Sequence, residues 1–332
     1  MKKYIWIIIL TLTSLIAHSE QNNSLIKVTN RLYMISGYGG NVSFLVTEEG
    51  VVVIDSGSQE MYGQKIESLI KSITNKPIKY IILTHFHIDH TLGACGFSGN
   101  PIIIAHQNLA TNLRAHGQNY IDRNKNKYLI PWINSLKENM NQLKQNNDPK
   151  WMEIQKQYNS ASERLENISE SSNVYPLLSF TSEMKLFLGS DTLRLFYPGK
   201  AHTNCNIMVE FINQKALATG DLLFNKCLPY IDSNADSDTQ NWIKQLVKYS
   251  QKDYQYIISG HGALGNTQDL QLMGQYLTEL RSKVEAGIAS QMNLKELLLE
   301  VKMPEYSHWG FQTTLAIEIE ALYKELSNQT TK

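Results

Sequence analysis

The chain has 332 residues, 42% of them apolar and 19% charged, which excludes a disordered tail, a collagen-like repeat and a disulfide-stapled miniprotein. Lysine plus arginine equals aspartate plus glutamate at 31 each, so the basic surplus with which a nucleic-acid binder neutralises phosphates is missing. Three cysteines, Cys95, Cys205 and Cys227, permit at most one internal disulfide and leave at least one thiol.

At the amino terminus, Lys2 and Lys3 precede an apolar run from Tyr4 to Ala17, and small Ala17 and Ser19 precede a cut before Glu20. This is the pattern of a secretory signal peptide over residues 1–19, so the mature chain is expected to be exported, periplasmic or secreted. Thr11, Thr13 and Ser14 dilute the run below what a membrane-spanning helix needs, and no cysteine stands near the cut to carry a lipid. No stable membrane anchor is therefore expected after cleavage, and residues 20–332 are read as one domain.

Short strands open that domain: Leu25–Val28, Leu32–Ile35, then Val42–Val46 and Val51–Ile54 around the turn Glu48-Glu49-Gly50. Ile66, Leu69, Ile70 and Ile73 fall at helical spacing over 61–73, and Lys79–Leu83 and Pro101–Ala105 read as buried strands. Residues 107–182 break this rhythm and are rich in Asn and Gln. Leu129, Trp132, Leu136 and Met140 form one helical stripe and Trp151, Ile154 and Tyr158 another, with Asp148 and Pro149 suited to N-cap and first helical position between them. A helical hairpin inserted into the domain is expected, either surface padding or a lid. Strands return at Leu193–Phe196, Ile207–Ile212, Ala216–Asp221 and Tyr256–His261, with a helix near 239–250. Helices are expected over 267–288 and 311–327, with Asn293 and Glu296 capping a short one between them. Sheets covered by helices on their outer faces follow from this order.

Residues 84–90 read Thr-His-Phe-His-Ile-Asp-His directly after a strand. His85 and His87, two apart on extended chain, point the same way, while Asp89 and His90 turn towards a second position. One loop could thus feed two metal ions, through the imidazole and carboxylate ligands that zinc accepts. His202, Asp221 and His261 each stand where a strand meets a Gly-containing loop, and the five histidines named are five of the eight beyond residue 19.

This series, His85-x-His87-x-Asp89-His90, His202, Asp221 in Thr-Gly-Asp and His261 in Ser-Gly-His-Gly, with Asp55 in Ile-Asp-Ser-Gly, resembles the motifs of the metallo-β-lactamase superfamily. The resemblance spans residues 25–265 and implies an α/β fold, an αββα sandwich of two mixed sheets flanked by helices, with the site at one edge of the sheets. It implies that His85, His87 and His202 hold one Zn2+ and Asp89, His90 and His261 a second, with Asp221 bridging and Asp55 a buried hydrogen-bonding support. Asp89 is the expected catalytic residue, orienting a metal-bridging hydroxide and receiving its proton. The ligand set is similar to that of glyoxalase II and the lactonases, whereas the commonest true β-lactamases place Cys where Asp221 stands.

The expected function is an exported binuclear zinc hydrolase attacking the carbonyl of a small ester, thioester or lactone. β-Lactam hydrolysis on the same site, a mononuclear-iron persulfide dioxygenase and a non-catalytic metal-binding relative are the alternatives. A small-molecule substrate is the expected partner, monomer and dimer are both compatible with the sequence, and Tyr230 and His308 are the candidate pocket residues.

Overall fold

The computed structural model describes residues 24–170 and 172–330; the signal peptide assigned to residues 1–19 lies outside them. Four strands, β1 (Ser24–Lys27), β2 (Leu32–Ser36), β3 (Val42–Val46) and β4 (Val51–Ile54), form an antiparallel meander. Helix α1 (Glu60–Ile73) crosses to β5 (Ile78–Ile82), the short helix α2 (Ile88–Thr91) follows, and β6 (Ile102–His106) pairs parallel with β5.

Helices α3 (Gln107–Asn112), α4 (Gln118–Arg123) and α5 (Ile130–Gln145) then form one helical run, joined by wide π-turns at Leu113–Gly117 and Asn124–Leu129. Helix α6 (Trp151–Glu170) returns against α5. Asp148 accepts the Lys150 N–H at 3.0 Å in the turn that leads into α6; the helix itself opens at Trp151, so Asp148 and Pro149 stand just ahead of it and not at its N-cap and first position. The helical insertion covers 107–170 and stops short of 182, because Leu178–Phe180 (β7) pairs in parallel with β6 and closes the first sheet. Three residues with two side chains exposed carry too little alternation for the sequence to announce this strand.

The second sheet runs in the order β13-β11-β10-β9-β8, from Tyr256–Ile258 (β13), Ala216–Ala218 (β11), Met208–Phe211 (β10), Asp191–Phe196 (β9) and Glu183–Leu188 (β8). A two-stranded ladder joins β12 (Phe224–Asn225) to β14 (His261–Gly262). Helices α7 (Thr239–Ser250), α8 (Thr267–Ala289), α9 (Leu294–Glu300) and α10 (Leu315–Thr330) cover the sandwich on this side. Asn293 and Glu296 form the expected capping box of α9.

Period-two alternation sorts the core into layers. Met34, Leu45, Val52 and Ile54 point inward and meet Leu195, Val209, Ala218 and Ile258 of the second sheet. Their neighbours Ile35, Phe44 and Val53 point outward and pack with Ile66 and Ile70 of α1. On the other outer face, Met208, Leu217 and Ile257 meet Trp242 and Leu246 of α7 and Met273 and Leu277 of α8. With both faces of the sheet covered, Val51–Ile54 is apolar and buried at every residue. The result is the αββα sandwich. The insertion has its own small apolar cluster, Leu129, Trp132, Leu136, Ala161 and Ile168, which joins the sandwich through Ile88 and Leu92.

Candidate metal centre

Thr84 to His90 leave the carboxy-terminal end of β5 at the edge of the first sheet, and the loop after β9 brings His202 to meet them. The strand expected to run through Asp221 ends at Ala218; Gly220, with φ +52°, breaks it, and Asp221 sits in the following 3-10 turn. Strand β13 likewise ends at Ile258, and His261 opens β14. All seven residues converge in two groups, His85, His87, His202 and Asp221, and beside them Asp89, His90 and His261.

Within the first group, His87 Nδ1 lies 3.1 Å from His85 Nε2 and 3.0 Å from His202 Nε2. Asp221 Oδ2 lies 3.6 Å from His85 Nε2 and 3.5 Å from His202 Nε2. In the second, His261 Nε2 lies 3.4 Å from His90 Nε2 and 3.2 Å from Asp89 Oδ2. Asp221 reaches this group too, Oδ1 at 3.1 Å from His90 Nε2 and Oδ2 at 3.4 Å from His261 Nε2.

These donor sets fit divalent ions. Four ligands at about 2.0–2.1 Å around a tetrahedral zinc stand roughly 3.3–3.4 Å apart, close to the spacings found. Facing imidazole nitrogens do not satisfy one another unless one carries a proton, and a shared cation satisfies them together. Asp221 Oδ1 is buried and, although 3.1 Å from His90 Nε2, is not aligned for a hydrogen bond, an atom left for such an ion. Asp221 touches both groups, the position of a bridging ligand.

Burial lowers the proton affinity of His85 well below the ordinary imidazole value and takes His202 down to about 3, the neutral state a ligand needs. Desolvation works the same way on His261, but Asp221 and Asp89 outweigh it and raise that ring to about 9. Protons held there must leave when a metal binds.

Two of the rings, His90 and His87, are fixed from behind. His90 Nδ1 donates to Asp55 Oδ2 at 2.8 Å, and Asp55 also accepts from Thr84 N–H at 2.8 Å and from the Thr84 hydroxyl at 2.9 Å. Asp55 thus braces the loops, the supporting part the sequence assigns it. His87 Nε2 meets the buried Asp232 Oδ2 at 3.3 Å, which turns Nδ1 towards the other ligands. Asp232 also accepts the Tyr120 hydroxyl from the insertion. Desolvation opposes its charge, but His87 and Tyr120 hold its carboxyl well below the usual range. Glycines make the close packing possible, since a Cβ at Gly40 would collide with the His90 ring and one at Gly260 with Asp221 Oδ1.

The centre forms the floor of a cavity of about 310 Å³. Asp89 is one third exposed towards it, while Asp221 is almost wholly covered. Phe224, Phe311 and Thr314 line one side, and Tyr120, Arg123, Tyr128, Arg164 and Ile168 of the insertion line another. Tyr230 lies on the wall as expected. His308 does not: it is exposed and outside the cavity, because neighbouring Trp309 turns inward against Tyr276 and Tyr306. All three cysteines are free; burial pushes the Cys205 thiol up to about 11, an inert core residue. Asp232 and the insertion's tyrosines and arginines were not legible beforehand, and only Tyr230, two residues from Asp232, marked this stretch.

The sandwich and this centre define a metal-binding α/β protein of the metallo-hydrolase type. The profile of the metallo-beta-lactamase superfamily matches residues 35–261, and the chain belongs to that superfamily. It is 23% identical over 301 residues to the metallo-beta-lactamase type 2 of Elizabethkingia meningoseptica, covering 86% of this chain and 99% of that one. It is 34% identical over 76 residues to a linear primary-alkylsulfatase of a Pseudomonas species, but that match covers only 21% of this chain and 14% of the sulfatase. Among solved structures, the sec-alkylsulfatase Pisa1 from Pseudomonas sp. superposes with a TM-score of 0.67 at 16% identity, over 92% of this chain and 50% of Pisa1. A metallo-beta-lactamase from Pontibacter korlensis gives 0.56 at 16% identity, over 77% and 98%.

Proposed function

We propose that this chain is an exported hydrolase that holds two zinc ions and cleaves a small ester, thioester or lactone at its carbonyl. The observation that carries this reading is the convergence of seven ligand side chains on one buried floor whose open side faces the cavity. His85, His87 and His202 would hold one ion, Asp89, His90 and His261 the other, and Asp221 both. Bound zinc supplies a Lewis acid and lowers the pKa of water from 15.7 to about 7.

The protein does the rest. Asp55 and Asp232 fix the ligand rings through hydrogen bonds, so the donor atoms do not reorganise during turnover. Asp89 presents a carboxylate at the cavity surface, where it accepts the proton of the attacking water and returns it to the leaving group. Phe224 and Phe311 exclude bulk water from the reacting carbonyl and strengthen every electrostatic contact there.

Metal analysis of the purified protein, followed by turnover of esters, thioesters, lactones and β-lactams, tests this reading. Two zincs per chain, with turnover lost in folded His85→Ala and Asp221→Ala variants, supports it. One iron with little zinc, or turnover retained in both variants, overturns it.

A further inference from the structure

The described residues contain six arginines. Arg31 pairs with Asp191, Arg194 with Glu183 and Glu210, and Arg281 with Glu285 and Glu325. Arg114 lies over the Tyr175 ring. The two that line the cavity, Arg123 at the end of α4 and Arg164 on α6, make no direct ion pair among the described residues, and the one buried carboxylate that attracts Arg123, Asp232, is already engaged by His87 and Tyr120. A guanidinium has five N–H donors and does not give up its charge, so an unpaired one in a partly closed cavity is a site waiting for an oxyanion.

Arg123 is held ready rather than left loose. One of its NH2 groups donates to the Tyr230 hydroxyl at 2.9 Å, and its guanidinium lies 5.0 Å from the centre of the Tyr120 ring. Burial raises Tyr120 well above the ordinary phenol value and Tyr230 to about 12, so neither phenol supplies a compensating negative charge. The only acids on the cavity wall are Asp89 and Asp221, both assigned to the metal floor. Besides floor and arginines the lining includes apolar Ile88, Ile168, Phe224 and Phe311, with Ser58, Asn124 and Thr314 as its small polar members. A molecule that fills this space needs a reactive group at one end, an apolar body and an anion at the other.

Resting on the hydrolase reading above, we infer that Arg123 and Arg164 form an oxyanion-binding subsite, so that the substrate carries a carboxylate or sulfate-like group remote from the bond cleaved. The subsite stands on the helical insertion: Arg123 lies over Tyr120, whose hydroxyl reaches Asp232 behind His87, while Arg164 on α6 contributes from a helix that carries no metal ligand.

The test uses zinc-loaded protein, with hexanesulfonate, hexanoate and uncharged 1-hexanol as binding probes in calorimetry. The wild type is expected to bind at least one anion tenfold or more better than the alcohol, and whichever anion binds more tightly names the group. Arg164→Gln, whose side chain has no ion pair among the described residues to lose, is expected to weaken that anion about tenfold, and Arg123→Gln/Arg164→Gln about a hundredfold, with hexanol unchanged. In parallel, kcat/KM for 4-nitrophenyl hydrogen succinate is expected to fall in the variants while that for 4-nitrophenyl acetate stays. Equal anion binding in wild type and double variant, or an equal loss for hexanol, overturns the subsite. Loss of anion binding in the variants, with a wild type that binds the anion but cleaves neither ester, keeps the subsite and removes the hydrolase reading. Cleavage of the neutral ester with no variant effect on either anion does the reverse.

Discussion

His85, His202 and Asp221 of the metal centre are buried to within 2% of completely, and Asp55 and Asp232 hold the neighbouring His90 and His87 rings from behind. Arg123, Tyr128 and Arg164 on the helical wall are only half-buried, and their helices pack round a separate apolar cluster. Floor and wall enclose the same space, yet they are anchored to different cores. The contrast separates two jobs: the sandwich holds reactive atoms immobile, and the insertion supplies the surface that meets the rest of a substrate. A floor that shifts by an ångström loses its metal geometry, while a wall can exchange side chains without that penalty.

Five experiments break or sharpen this division. His202→Ala, at the centre of the floor, should leave a folded protein whose turnover falls about a thousandfold or more, several kcal/mol of lost transition-state stabilisation; near-normal rates would remove the distinction. The side of the cavity formed by Phe224, Phe311 and Thr314 rests on Glu318, buried on α10, which accepts from Thr314 Oγ1 at 2.9 Å and from the Tyr276 hydroxyl. Burial pushes its carboxyl from about 4.5 up to about 8. The native state therefore keeps a proton that the unfolded chain has released, and Glu318 stabilises fully below pH 4.5 and loses that contribution as pH rises through about 8. Chemical denaturation should show a decline on the order of 5 kcal/mol over that range, flattened in Glu318→Gln.

Asp232 tests the hinge between the two regions, since it touches both His87 and Tyr120. Asp232→Asn should weaken zinc binding about 10- to 100-fold in competition with a chromophoric chelator. Tyr120→Phe removes only the wall's half of that contact and should cost less, up to about tenfold; a cost equal to that of Asp232→Asn would mean that the insertion helps set the metal geometry. Asp148→Ala in the turn that leads into α6 should cost about 1 kcal/mol in thermal stability, with the zinc content unchanged.

The floor was legible because its signals are local. His85 to His90 occupy six consecutive positions, and the strands that carry the ligands alternate in two-residue steps the sequence displays directly. What stayed hidden depends on contacts made across the chain. Asp232 gains its role from His87, 145 residues away, and no short pattern surrounds it. Arg123 and Arg164 stand on different helices, and only the return of α6 against α5 sets both on one wall. The π-turns that join the helical run leave no mark in composition. His308 misled because a histidine beside a tryptophan looks like a site, although the packing of Trp309 decides which of the two faces inward.

The glycines beneath the centre bear on transplantation. A designer who copied the seven ligands onto another scaffold would reproduce the donor atoms and still fail if positions equivalent to Gly40 and Gly260 carried any side chain, since the first methyl would displace His90 or Asp221. The portable unit is therefore nine residues on five loops, two of them contributing only an absence of atoms.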